Sequence, residues 1–161
     1  MKKLLLTLAL ILFASAAQAA VTTNSIVTAQ TPKLAVVQFL QGTDVAGTYK
    51  TLYTAGSNGT KVSGLWSNTN DASAAHLVTC QRFVSTTAMG GDAANVPVSS
   101  GSTAAALVVN LMSQTVWLGL PVDGNQNAFF YLNAGDTLQC TFATAITGTD
   151  VLSISGEAWQ Y

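Results

Sequence analysis

Bulky and small polar residues alternate along several short runs of this chain, and each run is bounded by turn-forming residues. Residues 48–71 contain two such runs, TYKTLYT and TKVSGLWSNT, separated by the spacer AGSNG. Glycine adopts positive φ without steric cost, so the spacer favours a tight turn. The pattern predicts two strands joined as a hairpin within 48–71.

The same alternation predicts further strands on both sides of this region. They are expected at 34–41, 76–85, 128–132, 136–145 and 150–160. Side chains two residues apart on a strand point the same way, so Leu138, Cys140 and Phe142 share one face. These three residues are predicted to lie in the core. The strand at 76–85 is expected to have both of its faces covered.

The middle of the chain carries weaker signals. Residues 86–102 are mostly small and predict loop, with a short edge strand at 96–98 because proline cannot donate to a central ladder. One short helix is allowed near 109–116, where helix propensity is fair. Seven to nine short strands with so little helix predict an all-β fold, an antiparallel β-sandwich or jelly roll.

The first twenty residues have the organisation of a secretory signal peptide. Lys2 and Lys3 precede an apolar run at 4–14, and 17–19 read AQA, a cleavage motif. The apolar run is shorter than the roughly 20 residues that a spanning helix needs. We expect export to the periplasm or the exterior and no membrane span after cleavage of 1–20. An extended N-terminal arm is expected at 21–31 and a single β-sandwich domain at 32–161.

Charged residues make up only 8% of the chain, against roughly a quarter in ordinary domains. Without 1–20, four basic residues remain against seven acidic ones, and they form no basic cluster. Phosphate contacts need grouped Lys and Arg, so nucleic-acid binding is not expected. A surface rich in Thr, Ser and Asn can be buried between subunits without leaving an unpaired charge in the interface. The same composition also fits the neutral surface of a monomer.

Few residues suggest catalysis or metal binding. His76 is the single histidine, and its place at the start of a strand beside a turn favours an exposed or turn-capping role over that of a catalytic base. The segment DGNQN at 123–127 begins like a calcium loop, but Ala128 and Ala134 stand where an EF-hand needs Gly and Glu. A tight turn is the better interpretation. We expect no enzymatic activity, no metal and no cofactor.

Cys80 and Cys140 are the two cysteines, and both are predicted to face inward on strands. In an oxidising compartment they form a disulfide or remain as buried free thiols, and the pattern leaves both alternatives open. A bond would close a loop of about 60 residues and stabilise the fold by about 4 kcal/mol in the chain-entropy model.

Aromatic side chains are the candidates for binding. The residues considered for a sugar-stacking platform or a subunit interface are Trp66, Trp117, Trp159, Tyr49, Tyr53, Tyr131 and Tyr161. Of these, Trp66, Trp117 and Tyr53 are the chosen candidates, and core packing is the alternative for each. The alternation does not resolve around Trp66, which indicates a bulge near Gly64 and an exposed indole.

Several segments together form a recurring pattern. Residues 51–62 match T-x-L-Y-T-A-G-x-N-G-[ST]-[KR]-V without one residue between T and L, and T-N-D at 69–71 and a hydrophobic strand follow. The region 117–143 loosely matches W-x-G-L-P-x-D-x-x-G-N and then contains A-G-D-T-L, and 156–161 runs from glycine to an aromatic end. In this respect residues 31–161 resemble small virion-associated proteins encoded among the structural genes of tailed bacteriophages and prophages.

The resemblance implies a jelly-roll-like decoration, neck or fibre-associated subunit. Such a subunit would assemble with itself, as a trimer by analogy with other jelly-roll assemblies, or with a capsid or tail protein. The signal peptide departs from the pattern of a virion protein assembled in the cytoplasm. We therefore expect a non-enzymatic, exported structural subunit. The alternative is a secreted module that binds a cell-surface glycan through exposed Trp and Tyr.

Overall fold

The computed structural model describes residues 31–96, 108–112, 120–146 and 148–161. Extended backbone dominates these segments because alternating side chains can be buried on one face of each strand. The strands are β1 (Thr31–Leu40), β2 (Lys50–Thr54), β3 (Thr60–Thr69), β4 (His76–Val84), β5 (Thr87–Val96), β6 (Val109–Asn110), β7 (Phe130–Leu132), β8 (Thr137–Phe142) and β9 (Val151–Gln160). The described segments contain no helix.

The strands form two antiparallel sheets that enclose one core. Sheet A has the order β1-β9-β3-β6, with β7 also paired to β3, and sheet B has the order β2-β8-β4-β5. Between the sheets, the rings of Phe39 and Phe142 lie 4.9 Å apart between centroids. The predicted core residues Leu138, Cys140 and Phe142 are all buried there. The β-sandwich prediction is confirmed.

The hairpin predicted within 48–71 is wrong, although both of its strands exist. Strand β2 pairs with β8 in sheet B, whereas β3 pairs with β9 in sheet A. The turn at 55–59 is therefore a corner between the sheets. Gly59 has a φ of +88°, and a Cβ there would lie 2.9 Å from the Leu132 carbonyl oxygen. The glycines indicate a turn, but they do not determine whether the flanking strands pair.

A second corner, at 133–136, leads from β7 in sheet A to β8 in sheet B. The two corners lie side by side, because the Ala55 amide donates to the Asp136 carbonyl over 2.8 Å. The Asp136 carboxylate accepts from the Asn133 amide over 2.9 Å and pairs with the Arg82 guanidinium over 2.6 Å. The backbone hydrogen bonds from Ala55 to Asp136 and from Gly135 to Ala55 hold the two turns together, and the Asp136 carboxylate ties the second turn to β4.

Strand β3 contains the predicted bulge. Its pairing with β9 shifts register between Val62 and Gly64, and the buried positions change from Val62 before the shift to Leu65 and Ser67 after it. One extra residue reverses which side chains point inward. Trp66 therefore lies on the outer face of sheet A.

Two predictions for the middle of the chain are wrong where the structure describes it. Strand β5 occupies most of the region expected to be loop, at the edge of sheet B beside β4. Within the expected helix at 109–116, Val109 and Asn110 instead form β6 and pair with β3. Backbone pairing outweighs the weak local propensities of these residues. Residues 97–98 and 113–116 lie outside the described segments.

Strands β4 and β8 carry the disulfide. Cys80 and Cys140 are directly opposed in the ladder, with Cα atoms 4.1 Å apart, and they are bonded. The free-thiol alternative is therefore excluded. The second face of β4 is only partly covered, since Leu77 is 42% exposed while Thr79, Gln81 and Phe83 are half-buried, so the expectation of two covered faces is not met at Leu77.

The predicted signal peptide and N-terminal arm lie mostly outside the described residues. The signal peptide at 1–20 is among them, and of the arm at 21–31 only Thr31 is described, as the first residue of β1. Within the described segments, no helix has the length and apolar character needed to cross a bilayer.

Candidate functional site

Trp66 lies half-buried on the outer face of sheet A, between two cavities. Its indole folds back over Gly64, where an added Cβ would overlap the ring. A cavity of about 340 Å³ on one side is lined by Trp66 together with Ser63, Asn110 and Gln126 among others. A second cavity of about 230 Å³ includes Trp66 and Asn68. The arrangement combines an aromatic face with amide and hydroxyl groups.

Tyr53 is not a surface residue. Its side chain is 4% exposed, and its ring packs against Gly156, where a Cβ would lie 2.8 Å from the ring. The hydroxyl group donates to the Lys33 carbonyl of β1 over 3.2 Å. Burial raises the pKa of Tyr53 to about 12. The expectation of an accessible ring is not met, because Tyr53 fills the core behind the edge of β1.

Trp117, the third chosen candidate, lies outside the described residues. The turn at 123–127 is as predicted, since Asp123 Oδ1 accepts from the amides of Asn125 and Asn127 over 2.9 Å each. The hydrogen bond from the Asn127 amide lowers the pKa of Asp123. The described segments contain no cluster of three or more His, Cys, Asp or Glu residues suited to a metal ion.

Of the two roles expected for His76, the exposed one is wrong because the side chain is fully buried, and its contact with Asp71 of the adjacent turn fits the turn-capping one. Its Nε2 lies 3.0 Å from Asp71 Oδ2, and its Nδ1 lies 3.0 Å from the Thr144 carbonyl oxygen. The carbonyl can only accept, so Nδ1 carries a proton. Asp71 Oδ1 accepts from the amides of Ser73 and Ala74, which fixes the carboxylate. Both ring nitrogens are engaged inside the protein, and neither is open to a substrate.

An aromatic row crosses the outer face of sheet A. Strand register places Trp159 of β9 opposite Lys61 of β3, and Lys61 opposite Tyr131 of β7. The ammonium group of Lys61 lies 4.4 Å from the ring centroid of Phe129. The rings of Phe129 and Tyr131 lie 5.5 Å apart, edge to face. Tyr131 is 52% exposed, so the row ends in an accessible ring.

A cleft opens beside this row, at the two adjacent corners. It has a volume of about 340 Å³. Its lining consists of Ser57, Asn58, Gly59, Thr60, Tyr131, Leu132, Asn133, Ala134 and Tyr161. The rings of Tyr131 and Tyr161 lie 6.1 Å apart, and burial together with a hydrogen bond to Tyr131 raises the pKa of Tyr161 to about 12. The cleft is aromatic on one side and rich in amides and hydroxyls on the other.

Sequence reasoning named Tyr131 and Tyr161 as aromatics but did not choose them. One local signal was present, because strand alternation at 129–132 places Phe130 and Leu132 inward and leaves Phe129 and Tyr131 outward. No local sequence pattern predicts that Tyr161 lies near Asn58, since their proximity depends on how the two corners meet.

Among the described strands, β1 lies at an edge of sheet A, and it exposes apolar side chains on its outer face. Leu34 is 81% exposed, Val36 60% and Leu40 40%. These residues alternate with inward-facing ones such as Phe39, so they share the outer face of the strand. Contiguous exposed apolar patches are typical of surfaces that contact another molecule.

The chain was also compared with known proteins. No protein-family model, no curated protein and no solved structure matches it.

Proposed function

We propose that this protein is a non-enzymatic, exported structural subunit, related to phage virion proteins, that assembles with further copies of itself through the outer face of β1. The exposed row of Leu34, Val36 and Leu40 is the observation that carries the proposal. Leu34 and Val36 lie about 7 Å apart along the strand, and Gln38 separates Val36 from Leu40. Covering the row would remove apolar surface from water.

A second copy suits the outer face from Val36 to Leu40, where no charged side chain would be buried, whereas Leu34 lies opposite Glu157. Val36 is paired in register with Ser155, and Leu40 with Val151. Between these points the outward positions are Gln38 and Ser153, which are also uncharged. Burying this part of the face would therefore remove no charged side chain from water.

The contact uses the face of β1 and not an extension of its ladder. Lys50 Nζ donates to the Gln38 carbonyl over 2.7 Å, and Asp44 Oδ2 accepts from the Leu40 amide over 2.7 Å. These two side chains thus occupy backbone groups that a further strand would need. Such capping is a common protection of edge strands against uncontrolled pairing.

A charge placed in the row tests the proposal. In sedimentation velocity, the wild-type protein is expected to form an oligomer, and Leu34→Glu is expected to sediment as a monomer because the contact would bury a carboxylate. Leu77→Glu, on the exposed face of β4, is the matched control and should behave like the wild type. A Leu34→Glu protein that oligomerises like the control would overturn the proposal.

Export is supported by the charged start, apolar run and AQA motif of 1–20, and the Cys80–Cys140 bond fits an oxidising compartment. Mass spectrometry of the protein recovered from the periplasm or medium should show a chain without 1–20. The relation to phage proteins rests on the motifs at 51–62 and 69–71. Capsid and tail genes beside the coding gene would support it, and secretion or polysaccharide genes would count against it.

A second candidate function is binding to a surface glycan. The half-buried indole of Trp66, between two cavities with amide and hydroxyl linings, favours it. A glycan array probed with the wild-type protein tests this function, and Trp66→Ala tests the contribution of that ring. An array without any bound glycan would exclude it.

A further inference from the structure

The geometry points to a binding site for a neutral sugar unit in the cleft between the corners at 55–59 and 133–136, with Tyr131 and Tyr161 as its aromatic side. This inference does not need assembly through β1. It rests on the second candidate function and places it at a site other than Trp66.

The shape of the cleft fits a small ligand. Its volume of about 340 Å³ lies near the lower end of the range for small-molecule sites, roughly 300–1,000 Å³. The main chain that forms it is held in place, because the Gly59 amide donates to the Gly56 carbonyl over 3.0 Å and the Tyr161 amide donates to the Gly59 carbonyl over 3.4 Å. Little ordering would therefore accompany binding.

The chemistry of the lining selects the ligand class. Tyr131 and Tyr161 offer an apolar ring with a polar tip, which suits the C–H face of a pyranose and its hydroxyl groups. Asn58, Asn133 and Ser57 supply donors and acceptors for further hydroxyls. None of the described side chains that line the cleft is ionisable at neutral pH, so an uncharged sugar is favoured over an acidic one.

The test uses maltohexaose, cellohexaose and triacetylchitotriose as neutral probes and a heparin tetrasaccharide as the acidic counterpart. In ¹⁵N NMR spectra of the wild type, a neutral probe should shift the side-chain amides of Asn58 and Asn133. Tyr131→Ala should weaken binding about ten-fold or more, which is about 1.4 kcal/mol. Tyr49→Ala, which removes a ring packed on Phe83 of the other sheet, is the matched control and should bind like the wild type.

The possible outcomes separate this site from the function on which it rests. Loss of binding in Tyr131→Ala but not in Trp66→Ala supports the cleft. The reverse result excludes the cleft and leaves glycan binding at Trp66. Absence of binding by all neutral probes, or preference for heparin, overturns the inference. If Tyr131→Ala does not fold, the NMR spectra of the wild-type protein decide between the sites. A probe that binds without shifting the side-chain amides of Asn58 and Asn133 also overturns the inference.

Discussion

The hydroxyl group of Tyr53 links β2 of sheet B to β1 of sheet A, and this gives a prediction at the scale of one residue. Tyr53→Phe removes the hydrogen bond to the Lys33 carbonyl. Burial is the main reason that the pKa of Tyr53 is raised to about 12. The unfolded pKa is about 10, so the stability from the protonated hydroxyl is complete below pH 10 and is lost as the pH rises towards 12.

Urea unfolding at pH 8 and pH 11 measures both effects. Tyr53→Phe should be less stable than the wild type by about 1 kcal/mol at pH 8, because one hydrogen bond is lost. The difference between the two proteins should shrink at pH 11, since phenylalanine has no proton to lose. An unchanged difference at both pH values would contradict this role of the hydroxyl.

The buried pair of His76 and Asp71 gives a second prediction at this scale. His76→Ala leaves Asp71 buried without its imidazole partner, which is expected to lower the free energy of unfolding by about 3–5 kcal/mol. A double-mutant cycle with Asp71→Ala isolates the pair from the packing of each side chain. The double variant should lose less than the sum of the single losses, and additivity within about 0.5 kcal/mol would show that the pair contributes no coupling.

At the scale of the strand, Gly64 is the residue that leaves room on β3 for the folded-back indole of Trp66. Gly64→Ala should displace the indole, shift its fluorescence to longer wavelength and cost about 1–3 kcal/mol, because the Cβ overlaps the ring. Gly124→Ala is the control, since a Cβ there meets no atom within 4 Å. A Gly64→Ala protein with the emission and stability of the control would contradict this packing.

The positions of most strands could be predicted from the alternation of bulky and polar side chains, whereas the pairing between strands could not. The core set around Leu138 was predicted because a period of two residues is local information. The separation of β2 and β3 into different sheets was not predicted, since a glycine turn permits both a hairpin and a corner. Strand β5 was missed because Gly and Ala give no alternation of size, and its backbone pairing with β4 is non-local.

At the scale of the whole molecule, the number of strands and the near absence of helix signals were enough to predict a β-sandwich. The cleft was not predictable, because Tyr131, Tyr161 and Asn58 meet only where two corners are hydrogen-bonded together. The burial of Tyr53 was also missed. Composition does not distinguish a tyrosine in the core from one at the surface.

The central claim is that the exposed face of β1 exists to be covered by another copy of the chain. Its most direct test is the molar mass of the purified wild-type protein, measured by multi-angle light scattering over a wide range of concentration. The account predicts a mass that is a whole multiple of one chain and that falls to a single chain on dilution or in Leu34→Glu. A mass of one chain at the highest concentration would contradict it.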